Sequence, residues 1–211
     1  MRDADPDAQL MLAFCAGDGS AFDSLFDRWG GPLLHYLERM VVDSGTAEEL
    51  VQEVFLRVYR AKDRYRPEAK FSTWLYRIGT NLALNELRRP SRSRPHSSMN
   101  EEPSNGGPVL RLVSDTQDAG DSLDVRRRAN RVEGALAELP ERQRMAIWLS
   151  AVEGMSYAEV AETLETSEKS VKALVHRARS ALVENVRADD QGSANGLHGD
   201  VEPGVKKDVR K

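Results

Sequence analysis

The 211-residue chain has a single cysteine, Cys15, so it can close no disulfide within itself and carries no Cys-rich metal site. Cys15 sits inside an apolar helical pattern, which suits a reducing cytosol. No run of about 18 apolar residues is present to span a bilayer, and the start "MRDADPD" lacks the basic-then-apolar layout of a secretory signal. A soluble cytoplasmic protein without membrane insertion is expected. Alternating apolar and polar residues of useful length are missing, as is any repeat period, so neither sheets nor solenoids are supported. The histidines His35, His96, His176 and His198 show no ligand spacing. No nucleophile or carboxylate constellation stands out. These absences point to binding rather than catalysis, with no metal or cofactor.

What is present is charge, unevenly placed. The net charge of −4 and pI near 5.7 argue against a protein that simply coats nucleic acid. From Leu56 to Arg94, however, eleven Lys/Arg face three acids, and from Ser98 to Val125 six acids face Arg111 alone. The acidic stretch is rich in Ser, Gly, Pro and Asn and has no period, which reads as a flexible linker over residues 95–121. It divides the chain into modules at 1–94 and 122–187, with a polar tail at 188–211 expected to be disordered.

Both modules read as helical, giving an all-α fold of two small domains. Pro6 suits a first helical position, and Leu10, Met11 and Phe14 form a stripe. Phe22, Leu25, Phe26 and Trp29 continue the pattern until "GGP" at Gly30 to Pro32 interrupts or kinks it. A third helix is expected from Thr46, where Thr46 and Glu49 have capping-box spacing. Its Phe55, Leu56 and Tyr59 spread apolar surface past one stripe, as a second contact or a partner surface would require. A fourth helix is expected over 72–89. There Arg77, Asn81, Asn85 and Arg88 share a face, where carboxamides can read base edges and arginines can hold phosphates. The stripe also satisfies an ordinary solvated face. Phe71, Trp74 and Tyr76, near Arg64, Arg66 and Lys70, add aromatics beside cations, a pairing that suits unpaired bases.

The second module carries the sharper pattern. Pro140 opens a helix that Gly154 ends, Ser156 and Glu159 form a capping box for a short helix through Leu164, and Ser167 caps the next. The layout is helix-turn-helix. In "SEKSVKALVHRARSAL" the residues Val171, Leu174, Val175, Ala178 and Leu182 form the core face. Lys169, Lys172, His176 and Arg179 lie opposite, with Arg177 beside them. A helix entering a major groove needs that segregation.

The blocks "TAEELVQEVFLRVYRAKDRY", "FSTWLYRIGTNLALNELRR" and "LPERQRMAIWLSAVEGMSYAEVAETLETSEKSVKALVHRARSAL" together resemble the extracytoplasmic-function (ECF) sigma factors of bacterial RNA polymerase, members of the sigma-70 family. The resemblance implies a region-2-like and a region-4-like module, with core polymerase and promoter DNA as partners and an anti-sigma factor as a further candidate. It implies that Glu49, Gln52 and Glu53 contact the polymerase. Lys70, Trp74, Arg77, Asn81, Asn85, Arg88 and Arg89 would serve the −10 element, and Ser167, Lys169, Lys172, Ala173, His176, Arg177 and Arg179 the −35 element. Three positions depart from the family. Glu165 stands where Gly is usual, Leu174 where many members are basic, and Asn85 where many carry Asp. A stand-alone helix-turn-helix regulator would use the second module similarly, but the long first module, with its acid-then-base helix pair, disfavours it.

Overall fold

The computed structural model describes residues 5–41, 43–89 and 131–195, with side chains to 185, and every regular element among them is helical. The first module has α1 (Pro6–Cys15), α2 (Gly19–Met40), α3 (Ser44–Arg60) and α4 (Phe71–Leu87). The second has α5 (131–137), α6 (Glu141–Ala151), α7 (Tyr157–Thr163) and α8 (Glu168–Asn195). The expected linker at 95–121 and the tail from 196 lie outside the described residues.

Asp5 starts two helices at once. One carboxylate oxygen accepts from the Asp7 amide at 3.1 Å and caps α1, while the other accepts from the Phe71 amide at 2.7 Å. The latter matters because Lys70, at the N-cap of α4, supplies no side-chain cap itself. The long-range cap therefore fixes the start of α4 against α1.

Three boundaries differ from the sequence reading. Helix α2 passes through Pro32 without a break. Burial of Leu33, Tyr36, Leu37 and Met40 beyond the proline outweighs its missing N–H, a cost of about 3 kcal/mol in a helix interior. Helix α3 begins at Ser44 rather than Thr46, because the Asp43 carboxylate accepts from both the amide and the hydroxyl of Thr46 at 2.7 Å. Thr46 is thus the third residue of the helix, not its cap. Helix α8 continues to Asn195, past the expected start of the tail at 188.

In the first module α2, α3 and α4 pack around Leu33, Leu37, Val54, Phe71 and Leu75, all fully buried. Gly79 lets α4 approach closely. A Cβ built there would sit 3.1 Å from Leu33 Cδ1 and 3.7 Å from Val54 Cγ2. At the next residue of α4, the Thr80 hydroxyl shares a buried hydrogen bond of 2.7 Å with the Tyr36 hydroxyl. Burial pushes the Tyr36 phenol up, well above its ordinary range, so it remains protonated in that bond.

The second module is built around Met145, Leu149, Val160, Val171, Val175 and Ala178. Gly154 ends the turn after α6 at φ +67°, and the Ser156–Glu159 capping box opens α7 as expected. One apolar cluster runs from Met11 in the first module to Ala178 in the second. The modules are therefore seated on each other.

Replacing Gly79 with Val should cost roughly 1–3 kcal/mol by overpacking against Leu33. Urea denaturation would read this as a lowered midpoint with an unchanged slope, and an unaltered midpoint would contradict the close approach.

Candidate nucleic-acid interface

The loop from α3 to α4 and the first turns of α4 enclose a cavity of about 550 Å³, with Arg64, Tyr65, Arg66, Thr73, Trp74 and Arg77 in its wall. Its chemistry combines aromatic surface with three arginines and two glutamates, Glu68 of the loop and Glu162 of α7. Trp74 is held at the wall by ring contacts with Tyr65 at 5.1 Å and Phe71 at 5.8 Å. Tyr65 Oη and Thr73 Oγ1 are buried in the same wall with no hydrogen-bond partner among the described residues. Burial pushes the Tyr65 phenol up to about 12, so it stays an O–H at neutral pH. Unsatisfied buried hydroxyls are costly, on the order of 1–3 kcal/mol each, and both oxygens lie beneath the cavity surface. Tyr65 and Thr73 were not among the expected site residues, because an isolated Tyr or Thr carries no pattern in sequence.

The polar stripe of α4 does not act as one surface. Arg77 opens on the cavity, whereas Asn81 Nδ2 donates to Glu165 Oε1 at 3.1 Å, across to the turn before α8. Asn85 and Arg89 instead line a groove of about 410 Å³ shared with Glu49 and Glu53 of α3. Glu53 itself accepts from Arg57 Nε at 2.8 Å, one turn along. Gln52 and Arg88 are exposed. Lys70 pairs with Glu159 of α7 at 2.8 Å. Thus Lys70 and Asn81, both expected to meet DNA, are engaged with the second module.

The first module also carries an aromatic face that the sequence reading found only in part. Phe14, Phe22, Phe26, Phe55 and Tyr59 touch in series with ring centroids 4.8 to 6.2 Å apart. Phe26 and Tyr59 remain 46% and 49% exposed, and Leu56 beside them is also exposed. Large apolar groups left in water in this way mark a partner surface.

Helix α8 fits its expected form. Ser167 Oγ accepts from the Ser170 amide at 3.2 Å and caps it. Val171, Val175 and Ala178 are buried, while Ser167, Lys169, Lys172, Ala173, His176, Arg177 and Arg179 are all exposed. Leu174 is half-buried and packs on the apolar cluster, so it belongs with the core side of the helix. Arg142 of α6 donates to the Leu164 carbonyl at 2.6 Å and secures the end of α7.

A helix-turn-helix with a cationic second helix, seated beside a helical module with an aromatic and cationic cavity, defines a two-module DNA-binding protein. Family comparison narrows the class. "Sigma-70 region 2" matches residues 25–93 and "Sigma-70, region 4" matches residues 129–182. The chain is 34% identical over 174 residues to the ECF RNA polymerase sigma-E factor of Escherichia coli K12, covering 81% of this chain and 89% of that protein. It is 31% identical to the RNA polymerase sigma-H factor of Pseudomonas aeruginosa, covering 86% and 94% respectively. Among solved structures, CnrH in complex with the cytosolic domain of CnrY aligns with a TM-score of 0.62 at 26% identity, over 87% of this chain and 98% of that one. RpoE of Bartonella quintana, solved with the anti-sigma factor NepR, shares the fold at TM-score 0.59 and 22% identity, over 80% and 98%. The chain belongs to the ECF sigma factors of the sigma-70 family, and its function is that of an RNA polymerase sigma factor.

The Lys70–Glu159 pair gives a pH signature. Burial alone would raise the Glu159 carboxyl, but hydrogen bonds from Lys70 and from the Ser156 side chain and backbone outweigh it and hold it below its ordinary value of 4.5. The hydrogen bond to Glu159 likewise raises Lys70 above 10.5. A lowered acid contributes stability above its unfolded pKa and loses it as pH falls through the folded value. A raised base contributes below its unfolded pKa and loses it as pH rises through the folded one. The stability difference between the native chain and Glu159→Gln should therefore be constant between about pH 6 and 9 and shrink toward both extremes. With Lys70 well exposed it should not exceed about 1 kcal/mol. Urea midpoints across pH would read it, and a difference that grows in acid would refute the assignment.

Proposed function

We propose that the two modules divide promoter recognition between them once core polymerase has docked the chain. Helix α8 lies in the major groove of the −35 element, with Lys169, Lys172, Arg177 and Arg179 on phosphates and base edges, and Ser167, Ala173 and His176 at the same surface. The cavity beside Trp74 receives an unstacked base of the −10 element. Stacking on Trp74 and cations from Arg64, Arg66 and Arg77 offset an unstacking cost of a few kcal/mol. The observation that carries this reading is the cavity itself, in which the half-buried Trp74 lies beside Arg64, Arg66 and Arg77. Lys70, Asn81, Asn85, Arg88 and Arg89 extend the contact along α4.

Docking on the polymerase uses the aromatic face. Exposed Phe26, Leu56 and Tyr59 supply apolar area, and Glu49, Gln52 and Glu53 supply polar contacts at its edge. An anti-sigma factor competing for such surfaces would act as a regulator; CnrH and RpoE of Bartonella quintana, whose fold this chain shares, were solved in complex with CnrY and NepR. Bond formation belongs to the polymerase, and this chain contributes binding and strand separation in the cytoplasm.

Two outcomes test the division of labour. Replacing Lys172 and Arg177 with Ala should cut transcription from a promoter with a matched −35 element about ten-fold, at roughly 1 kcal/mol or more per lost contact. Undiminished transcription in a reconstituted assay with core polymerase would remove α8 from that role. Replacing Trp74 with Ala should spare closed-complex formation but slow strand opening. Permanganate footprinting that shows normal melting would exclude the cavity as a base pocket.

A further inference from the structure

The wall of the Trp74 cavity is braced from outside the cavity. Asp5 is not part of that wall, yet its Oδ2 accepts from the Phe71 amide at 2.7 Å, across 66 positions of sequence. Phe71 is the first residue of α4; its ring is fully buried and meets the Trp74 ring at 5.8 Å. Trp74 also rests on Tyr65 at 5.1 Å. The Asp5 charge reaches this residue as well. After burial, it is the next cause that pushes the Tyr65 phenol up to about 12.

Helix α1 is a firm base for such a brace. Arg28 of α2 donates to the Asp7 carboxylate, and Met11 and Phe14 are buried in the core. A carboxylate suits the place because it stands at the N-termini of two helices, where first-turn amides lack partners and the dipole favours negative charge. Capping both takes two acceptor oxygens. Asp5 divides its pair, Oδ1 to the Asp7 amide and Oδ2 to the Phe71 amide. The start of α4 depends on this, since Lys70 at its N-cap supplies no side-chain hydrogen bond.

We infer that Asp5 is a positioning residue for strand opening: through the Phe71 amide it holds the first turn of α4, and with it the Trp74 ring, where an unstacked base meets it. The inference rests on the reading of the Trp74 cavity as the −10 base pocket. Asp5 touches neither DNA nor polymerase in this role. Without it the first turn of α4 frays, and the stacking ring goes with the turn while the rest of the bundle stays packed.

Asp5→Ser separates the two duties. Serine is as good an N-cap as aspartate, so α1 keeps its cap, but its one oxygen leaves the Phe71 amide unpaired. Asp18→Ala is the control, removing the cap of α2, where Asp18 accepts from the Ser20 amide at 3.0 Å on an exposed surface. Each variant is reconstituted with core polymerase on a promoter that the native chain transcribes. DNase footprinting at low temperature reads the closed complex, and the growth of permanganate-reactive thymines reads opening. Asp5→Ser should leave the closed complex unchanged and slow opening about five-fold, the factor that one lost cap corresponds to. Asp18→Ala should alter neither. In a Trp74→Ala background Asp5→Ser should slow opening no further, because both changes act through one ring. Normal opening with Asp5→Ser beside slow opening with Trp74→Ala would overturn the positioning role and leave the pocket standing. Equal slowing by Asp18→Ala, or an undiminished loss in the Trp74→Ala background, would overturn it too. Normal opening with both Asp5→Ser and Trp74→Ala would remove the pocket itself, and the role of Asp5 with it.

Discussion

The Glu153 carboxylate accepts from the Tyr76 phenol of the first module at 2.5 Å and from the Trp148 indole of its own module at 2.9 Å. The orientation of α4 depends on what this carboxylate holds. The Tyr76 ring meets Tyr36 edge-on at 5.2 Å and Trp29 at 6.1 Å, and Tyr36 in turn shares its hydroxyl with Thr80. Aromatic edges and hydrogen bonds therefore run unbroken from α2 through α4 to α6. Burial and the neighbouring carboxylate push the Tyr76 phenol far above its ordinary range, so it stays a donor at any physiological pH. A partly buried carboxylate with two donors is satisfied, and removing either donor would leave it expensive to bury.

Fixing α4 in this way sets where its side chains emerge. Its inner side rests on α2 and α3 through Gly79, Leu75 and Leu82, and Trp74 and Arg77 open on the cavity. Asn85 and Arg89 instead line the groove with Glu49 and Glu53. There polar groups of α3 and α4 meet, and residues expected to serve separate partners lie side by side.

The helix-turn-helix was legible in sequence because its determinants are local. A capping box spans three residues, Gly154 ends a turn by its own φ, and the apolar spacing of α8 repeats over several turns. The first module hid more. Pro32 and Asp43 act through competition between a local preference and burial or capping elsewhere, and local pattern sees only one side of that balance. Asn81 and Asn85 share a helical face by periodicity, yet one meets the second module and the other a groove on α3. That difference is set by what packs against α4, and the partners lie far away in the chain. Gly79 was readable in principle, since a glycine inside a helix costs about 1 kcal/mol against alanine and calls for a close contact in return.

Glu165 and Leu174, the two departures in the second module, have different physical consequences. The left-handed turn survives the glutamate, because the Schellman closure from Thr166 to Ala161 and the Arg142 bond to the Leu164 carbonyl both hold it. The strain, of the order of 1 kcal/mol, is local and leaves the start of α8 capped by Ser167. The direction in which α8 projects its cations is therefore unaffected by the residue at 165. Leu174 alters something else. Packed at the margin of the core, it makes an apolar contact there and leaves Lys172, Ala173, His176 and Arg177 as exposed neighbours on the helix. The turn thus sets where α8 begins, while the residue at 174 bears on which of its faces meets the core.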